Sequence, residues 1–155
     1  MDVGGGDRAL QAGVAELVID GAPGVAQARG ELPRAGAEWL PDGQTLLVPA
    51  AGDIFTVDVR TGAVRALVRT PEAEEFAEAS PDGTKVAFVR GSDLWIVDVA
   101  SGRQTQLTRS GSETLLNGRL DWVYEEELAS RTGQAFVWSP DSRQIAYLQL
   151  DQARV

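Results

Sequence analysis

Ala79-Ser80-Pro81-Asp82-Gly83, followed by Asp93-Leu94-Trp95-Ile96-Val97-Asp98-Val99, is the stretch on which the fold turns. The same pattern stands 40 positions earlier as Trp39-Leu40-Pro41-Asp42-Gly43 and Asp53-Ile54-Phe55-Thr56-Val57-Asp58-Val59. Thr61-Gly62 returns as Ser101-Gly102, and Leu67 returns as Leu107. Self-similarity at a fixed period marks a chain built from one supersecondary unit repeated. A partial copy restarts at Trp138-Ser139-Pro140-Asp141-Ser142 and runs on through Gln144-Ile145-Ala146-Tyr147. A looser one, Val18-Ile19-Asp20 with Gly24, precedes the first at an offset of 38.

Each copy predicts four short strands. The first enters the Pro-Asp-Gly turn, where proline presets φ and Asp-Gly accepts the turn geometry. The second spans Thr45 to Val48, or Lys85 to Val89. The third spans Ile54 to Val59, or Leu94 to Val99, and a Thr-Gly or Ser-Gly corner leads to the fourth, Val64 to Val68 or Gln104 to Thr108. In the later copy Trp95, Val97 and Val99 share one face of the third strand, and Leu94 and Ile96 the other. A strand apolar on both faces is covered on both sides. Four antiparallel strands per ~40–45 residues, stacked face to face, describe the blades of a β-propeller.

The expected fold class is therefore all-β: an incomplete β-propeller of about three four-stranded antiparallel blades with one short helical insertion. The organisation expected is a partial blade and N-terminal segment over 1–35, blades over 36–70 and 76–108, an insertion over 109–135, and the start of a further blade over 136–155. Propellers close with roughly four to eight blades, so the chain is expected to be a piece of a longer polypeptide. Blade faces left open predict self-association or marginal stability. Phe88, Trp95, Trp138 and Tyr147 fall on predicted strands and are expected in the core. Glu72 to Glu78, four glutamates around Phe76, are expected to form a solvated connection pinned by that ring.

Composition removes several function classes. Fourteen basic against 23 acidic residues give a net charge of −9, which argues against nucleic acid and anionic membrane surfaces as partners. No apolar run is long enough for a transmembrane helix, and the N-terminus lacks a signal-peptide pattern. With 43% hydrophobic and 24% charged residues, the composition is that of a soluble globular protein. There is no cysteine and no histidine. Disulfides, thiol catalysis, histidine-ligated zinc and a Ser-His-Asp triad contained within these residues are excluded. No cofactor or metal is expected.

By the 40-residue period the next Pro-Asp turn is due near position 121, yet it arrives at Pro140. About 19 residues are inserted, and they contain Asp121-Trp122-Val123-Tyr124-Glu125-Glu126-Glu127. Asp121 can cap a short helix to Ser130, with Gly133 as its stop. The bland reading of Glu125 to Glu127 is a solvated charge run. The functional reading starts from cost: adjacent carboxylates repel, so holding them together calls for a cation. No EF-hand-type spacing accompanies them. An ammonium group fits, since two carboxylates can take two of its three N–H donors.

Asp-Trp-Val-Tyr-Glu-Glu-Glu, with Trp-Ser-Pro-Asp some ten residues later, resembles the N-terminal β-propeller of the dipeptidyl peptidase IV-like serine peptidases, of the prolyl oligopeptidase group. The weaker likeness runs from about Ala35 to Val155. The resemblance implies that Glu126 and Glu127 bind the free α-amino group of a peptide, supported by Asp121, Trp122, Tyr124 and Glu125. It further implies a separate C-terminal α/β-hydrolase domain carrying the catalytic residues, so that no catalytic residue lies here. The implied activity is removal of dipeptides from N-termini with proline or alanine in the penultimate position. A homo-oligomer of the intact protein is implied as well. The substrate-binding arginine of the family has no clear place; Arg90, in the short Arg90-Gly91-Ser92 loop, is the nominal candidate, and a solvated loop arginine is the equal alternative. The Pro-Asp-Gly blades are also similar to TolB-like propellers, which leaves a non-enzymatic scaffold for protein or peptide binding as the other function class.

Overall fold

The computed structural model describes residues 37–121 and 133–153. All regular structure among them is β-strand, and no helix long and apolar enough to cross a membrane occurs there. The expected helix over Asp121 to Ser130 and the expected partial blade over 1–35 lie outside the described residues, apart from Asp121 itself. Two compact units divide the chain between Ala73 and Glu74.

In the first unit, β1 (Glu38–Trp39), β2 (Thr45–Ala50), β3 (Asp53–Asp58) and β4 (Val64–Val68) form an antiparallel meander in chain order. The β2–β3 hairpin is closed by Ala51 and Gly52, both at positive φ (53° and 82°), as the right-handed strand twist favours in two-residue loops. Val48, Ala50, Phe55 and Val57 pack on one face of this sheet. On β3, Ile54, Phe55, Thr56 and Val57 are all buried, so both of its faces are covered.

In the second unit, β5 (Glu74–Ala79), β6 (Lys85–Arg90), β7 (Asp93–Asp98) and β8 (Gln104–Gln106) repeat the meander. Ala87 and Val89 of β6 and Leu94 of β7 bury one face against Phe136 and Trp138, with Ile96, Phe76 and Ile145 at the margin. Val86, Phe88 and Val97, on the opposite face, are fully buried.

The turn aspartates explain why the repeat keeps its Pro-Asp signature. Asp82 Oδ1 accepts from Thr84 N (3.0 Å), Ser80 Oγ (2.7 Å) and Thr84 Oγ1 (2.8 Å). These donors, the Thr84 amide foremost, pull its carboxyl from 3.8 down to about 2. Asp42 and Asp141 are likewise lowered, chiefly by the hydroxyls of Thr45 and Ser139. Asp98, at the end of β7, is lowered by the Ser101 amide. In the third turn Ser142 takes the place of glycine at φ 62°. Its hydroxyl accepts from Asp82 N at 3.0 Å, which ties the second and third turns together.

The third repeat has an unusual edge. β11 (Ile145–Tyr147) and β12 (Gln149–Asp151) are successive halves of one extended run. β10 (Phe136–Trp138) pairs with β11, and β9 (Leu115–Asn117) pairs with β12. Between the two ladders, Gly118 N donates to Leu148 O (3.0 Å) and Leu148 N to Ala135 O (2.9 Å). β9 and β10 are thus one edge, broken between Gly118 and Ala135. The stretch 109–135 therefore contains a strand, β9, besides the break.

Two further expectations are corrected. Glu74 to Glu78 belong to β5 and are not a solvated connection; Glu74 is buried, with its carboxylate on the Arg90 guanidinium (Nε to Oε1, 3.1 Å). Tyr147 lies on β11 but is 43% exposed, whereas Phe88 and Trp138 are buried. Strand position sets which face a side chain takes, and what covers that face lies elsewhere.

Candidate functional site

In sequence, the acidic-aromatic run falls between the two halves of the third edge, after Gly118 and before Ala135. Trp122, Tyr124, Glu125, Glu126 and Glu127 lie outside the described residues; the base from which they spring is described. Ala135 N donates to Gly118 O (2.9 Å) and Leu120 N to Gly133 O (2.9 Å), while Arg119 bridges Gln134. The chain leaves at Gly118 and returns at Ala135 through a short antiparallel stem. Gly118 has φ 74°, and a Cβ there would stand 3.2 Å from Leu94 Cδ1. Only a glycine takes this corner without strain against the core.

Side chains then fix the stem. On the outgoing leg, Arg119 Nη1 lies 2.9 Å from Glu75 Oε2 and donates to Gly91 O at 3.3 Å. On the returning leg, Gln134 Nε2 donates to Glu78 Oε2 (2.7 Å) and to Phe136 O (3.1 Å). Trp138 Nε1 donates to the Glu78 carbonyl at 3.0 Å. Asp121, the one support residue described, accepts a hydrogen bond from the Gln152 amide near the end of β12.

A buried polar node sits beneath β9. Asp93 Oδ1 accepts from Thr108 Oγ1 (2.7 Å), Gly111 N (3.0 Å) and Asn117 Nδ2 (3.1 Å). Asn117, fully buried, also accepts from Gln149 Nε2 (2.8 Å), and its backbone N–H reaches Ser92 O (3.0 Å). This node attaches β9 and β12 to the β6–β7 hairpin. Charged and polar atoms buried in this way are held because each has a partner.

Sequence reasoning missed Glu75, Glu78, Asp93, Asn117, Arg119 and Gln134. The partners that join them to other strands lie as far as 56 residues away, beyond any local spacing signal. Arg90 is a structural residue and not a free ligand arginine. Its side chain is 11% exposed, pairs with Glu74, donates to Gln104 Oε1 (2.7 Å) and stacks over Trp95 (4.5 Å) and Phe88 (5.3 Å). Asp58 and Asp98 bond local amides, of Arg60 and Ser101 respectively, as strand-end aspartates do.

Residues 38–155 match the dipeptidyl peptidase IV (DPP IV) N-terminal region. The chain belongs to this family. The match covers the two complete repeats, the broken edge and the acidic-aromatic run. Dipeptidyl aminopeptidase B of Saccharomyces cerevisiae is 43% identical over 49 residues, which are 32% of this chain and 6% of that protein. The crystal structure of Porphyromonas gingivalis dipeptidyl peptidase 4 is similar at a TM-score of 0.65 and 29% identity, over 75% of this chain and 18% of that one. The chain thus spans a small part of the proteins it resembles. Family and structural likeness agree with the strand count: the fold is all-β, a partial propeller.

Proposed function

We propose that the chain is the substrate-recognition propeller segment of a serine-type dipeptidyl aminopeptidase, and that Glu126 and Glu127 hold the free N-terminal ammonium of the peptide. The observation that carries this reading is the family match over 38–155, which contains both glutamates. The braced stem formed by the residues on either side of the run supports it, because a recognition group must be held in place to select by distance.

The chemistry follows from charge. An α-amino group has a reference pKa of ~7.7–8.0 and is mostly cationic at neutral pH. Two carboxylates bind it with charge-assisted hydrogen bonds. Set at a fixed distance from a nucleophile, they admit only a peptide whose second peptide bond reaches that nucleophile. Acylating the amine removes the charge and leaves the carboxylates unpaired, at a cost of about 3–5 kcal/mol where they are desolvated. The chain has no histidine; in this reading the nucleophile and its base lie in a hydrolase domain outside these residues.

The experiment is kinetic. In the protein carrying that hydrolase domain, Glu126→Gln and Glu127→Gln are each expected to lower kcat/KM for an Ala-Pro reporter by about 100-fold or more. The folded fraction should stay unchanged. Activity within about twofold of the parent would defeat the assignment. The 155-residue chain alone is expected to show no turnover.

A further inference from the structure

β5 carries a bulge where it pairs with β6. The register pairs Glu75 with Val89 and Glu78 with Ala87, and it shifts between Glu75 and Glu78. In a regular strand, residues three apart point to opposite faces. Val89 and Ala87 are two apart on β6, so their partners share one face. The extra residue in β5 therefore brings both glutamates to the same side. Phe76 pays part of that geometry with a left-handed φ of 59°, which is uncommon for an aromatic residue.

Each glutamate meets a different leg of the acidic excursion. Glu75 holds Arg119 on the outgoing leg at 2.9 Å, and Glu78 holds Gln134 on the returning leg at 2.7 Å. The two legs also bond each other through Leu120 and Gly133. We propose that the β5 bulge is a positioning device, in which Glu75 and Glu78 grip both legs of the stem that carries the run with Glu126 and Glu127. This rests on the reading of those two residues as the ammonium clamp. Glu75 and Arg119 act through the stem and are positioning residues.

The geometry separates this role from general stabilisation. Arg119 and Glu75 are 31% and 40% exposed, and an ion pair so exposed contributes little to global stability. Its effect should be local to the stem.

The test uses the 155-residue chain, its amide exchange followed by NMR, and Ala-Pro-amide as the probe ligand. Glu75→Ala and Arg119→Glu are each expected to speed exchange at the Leu120 and Ala135 amides by up to about fivefold, the range of an exposed pair. Exchange at Val97, in the β6–β7 ladder, should not change. Affinity for Ala-Pro-amide should fall by a similar factor, and the charge-swapped Glu75→Arg/Arg119→Glu chain should recover both. Glu78→Ala should act on Ala135 in the same direction. Unchanged exchange at Leu120 and Ala135, or failure of the swap to restore it, overturns the positioning role. If the parent chain does not bind Ala-Pro-amide, the ammonium reading fails, and the exchange data still decide whether Glu75 and Glu78 hold the stem.

Discussion

Replacing Arg90 with methionine should be the most damaging single change in the second sheet. The Glu74 side chain is fully buried and that of Arg90 is 11% exposed, with Nε 3.1 Å from Oε1. Methionine keeps an apolar side chain of similar length but removes the guanidinium, which lies over Trp95 and Phe88. Breaking a buried pair from one side costs about 3–5 kcal/mol, because the remaining charge is left in a poor solvent. The lost stacking over Trp95, at 4.5 Å, acts in the same direction by roughly 0.5–2 kcal/mol. Domains of this kind carry only about 5–15 kcal/mol in all. The variant should therefore unfold at a much lower urea concentration, monitored by tryptophan fluorescence and circular dichroism together. The double variant Glu74→Leu/Arg90→Met removes both charges and should recover most of the loss, since apolar replacement of a buried pair is often neutral or better. A cost below about 1 kcal/mol for Arg90→Met would mean that water reaches the pair, and the account of Glu74 and Arg90 as a buried ion pair would be refuted.

The remaining predictions concern the turns and the stem. Asp82→Asn should destabilise the chain at neutral pH. The carboxyl of Asp82 is depressed from 3.8 to about 2 in the folded state, so its contribution is present above the unfolded value and is lost as pH falls through the folded one. The difference in Tm between parent and variant should shrink between about pH 4 and pH 2; a difference that grows there would contradict the sign. Gly118→Ala should cost about 1–2 kcal/mol for the left-handed backbone alone, with further crowding against Leu94, and urea titration checks it. Asn117→Ala should cost about 1–3 kcal/mol by leaving Asp93 and Gln149 short of a partner. That variant should also accelerate amide exchange along β12, and an unaltered β12 would argue against the node.

The parts of the fold that were legible in the sequence are those held by neighbours. The Pro-Asp turns at 41, 81 and 140, and the hairpins β2–β3 and β6–β7, close within a few residues, so spacing alone reveals them. A strand entering the second Pro-Asp turn was legible, but its start at Glu74 was hidden, because glutamate is a poor strand former and the arginine that stabilises Glu74 in the interior is 16 residues on. The bulge at Phe76 obscures its alternation further. β9 was hidden because its partner, β12, lies beyond the whole break: Asp151 pairs with Leu115. Tyr147 was misplaced because alternation marks a face but not what covers it. At the candidate site, the acidic-aromatic run announced itself by breaking the period. The groups that brace it, Glu75, Glu78, Arg119 and Gln134, carry no local signal and emerge only when the strands are paired.

The central claim is that the run selects peptides by their N-terminal charge. Titration of the 15N-labelled 155-residue chain with Ala-Pro-amide and with N-acetyl-Ala-Pro-amide tests it most directly. The account predicts that the free amine shifts the amide resonances of residues 118–121 and 133–135, that acetylation abolishes the effect, and that Glu126→Gln/Glu127→Gln does the same. Equal shifts from the acetylated and free ligands would contradict it.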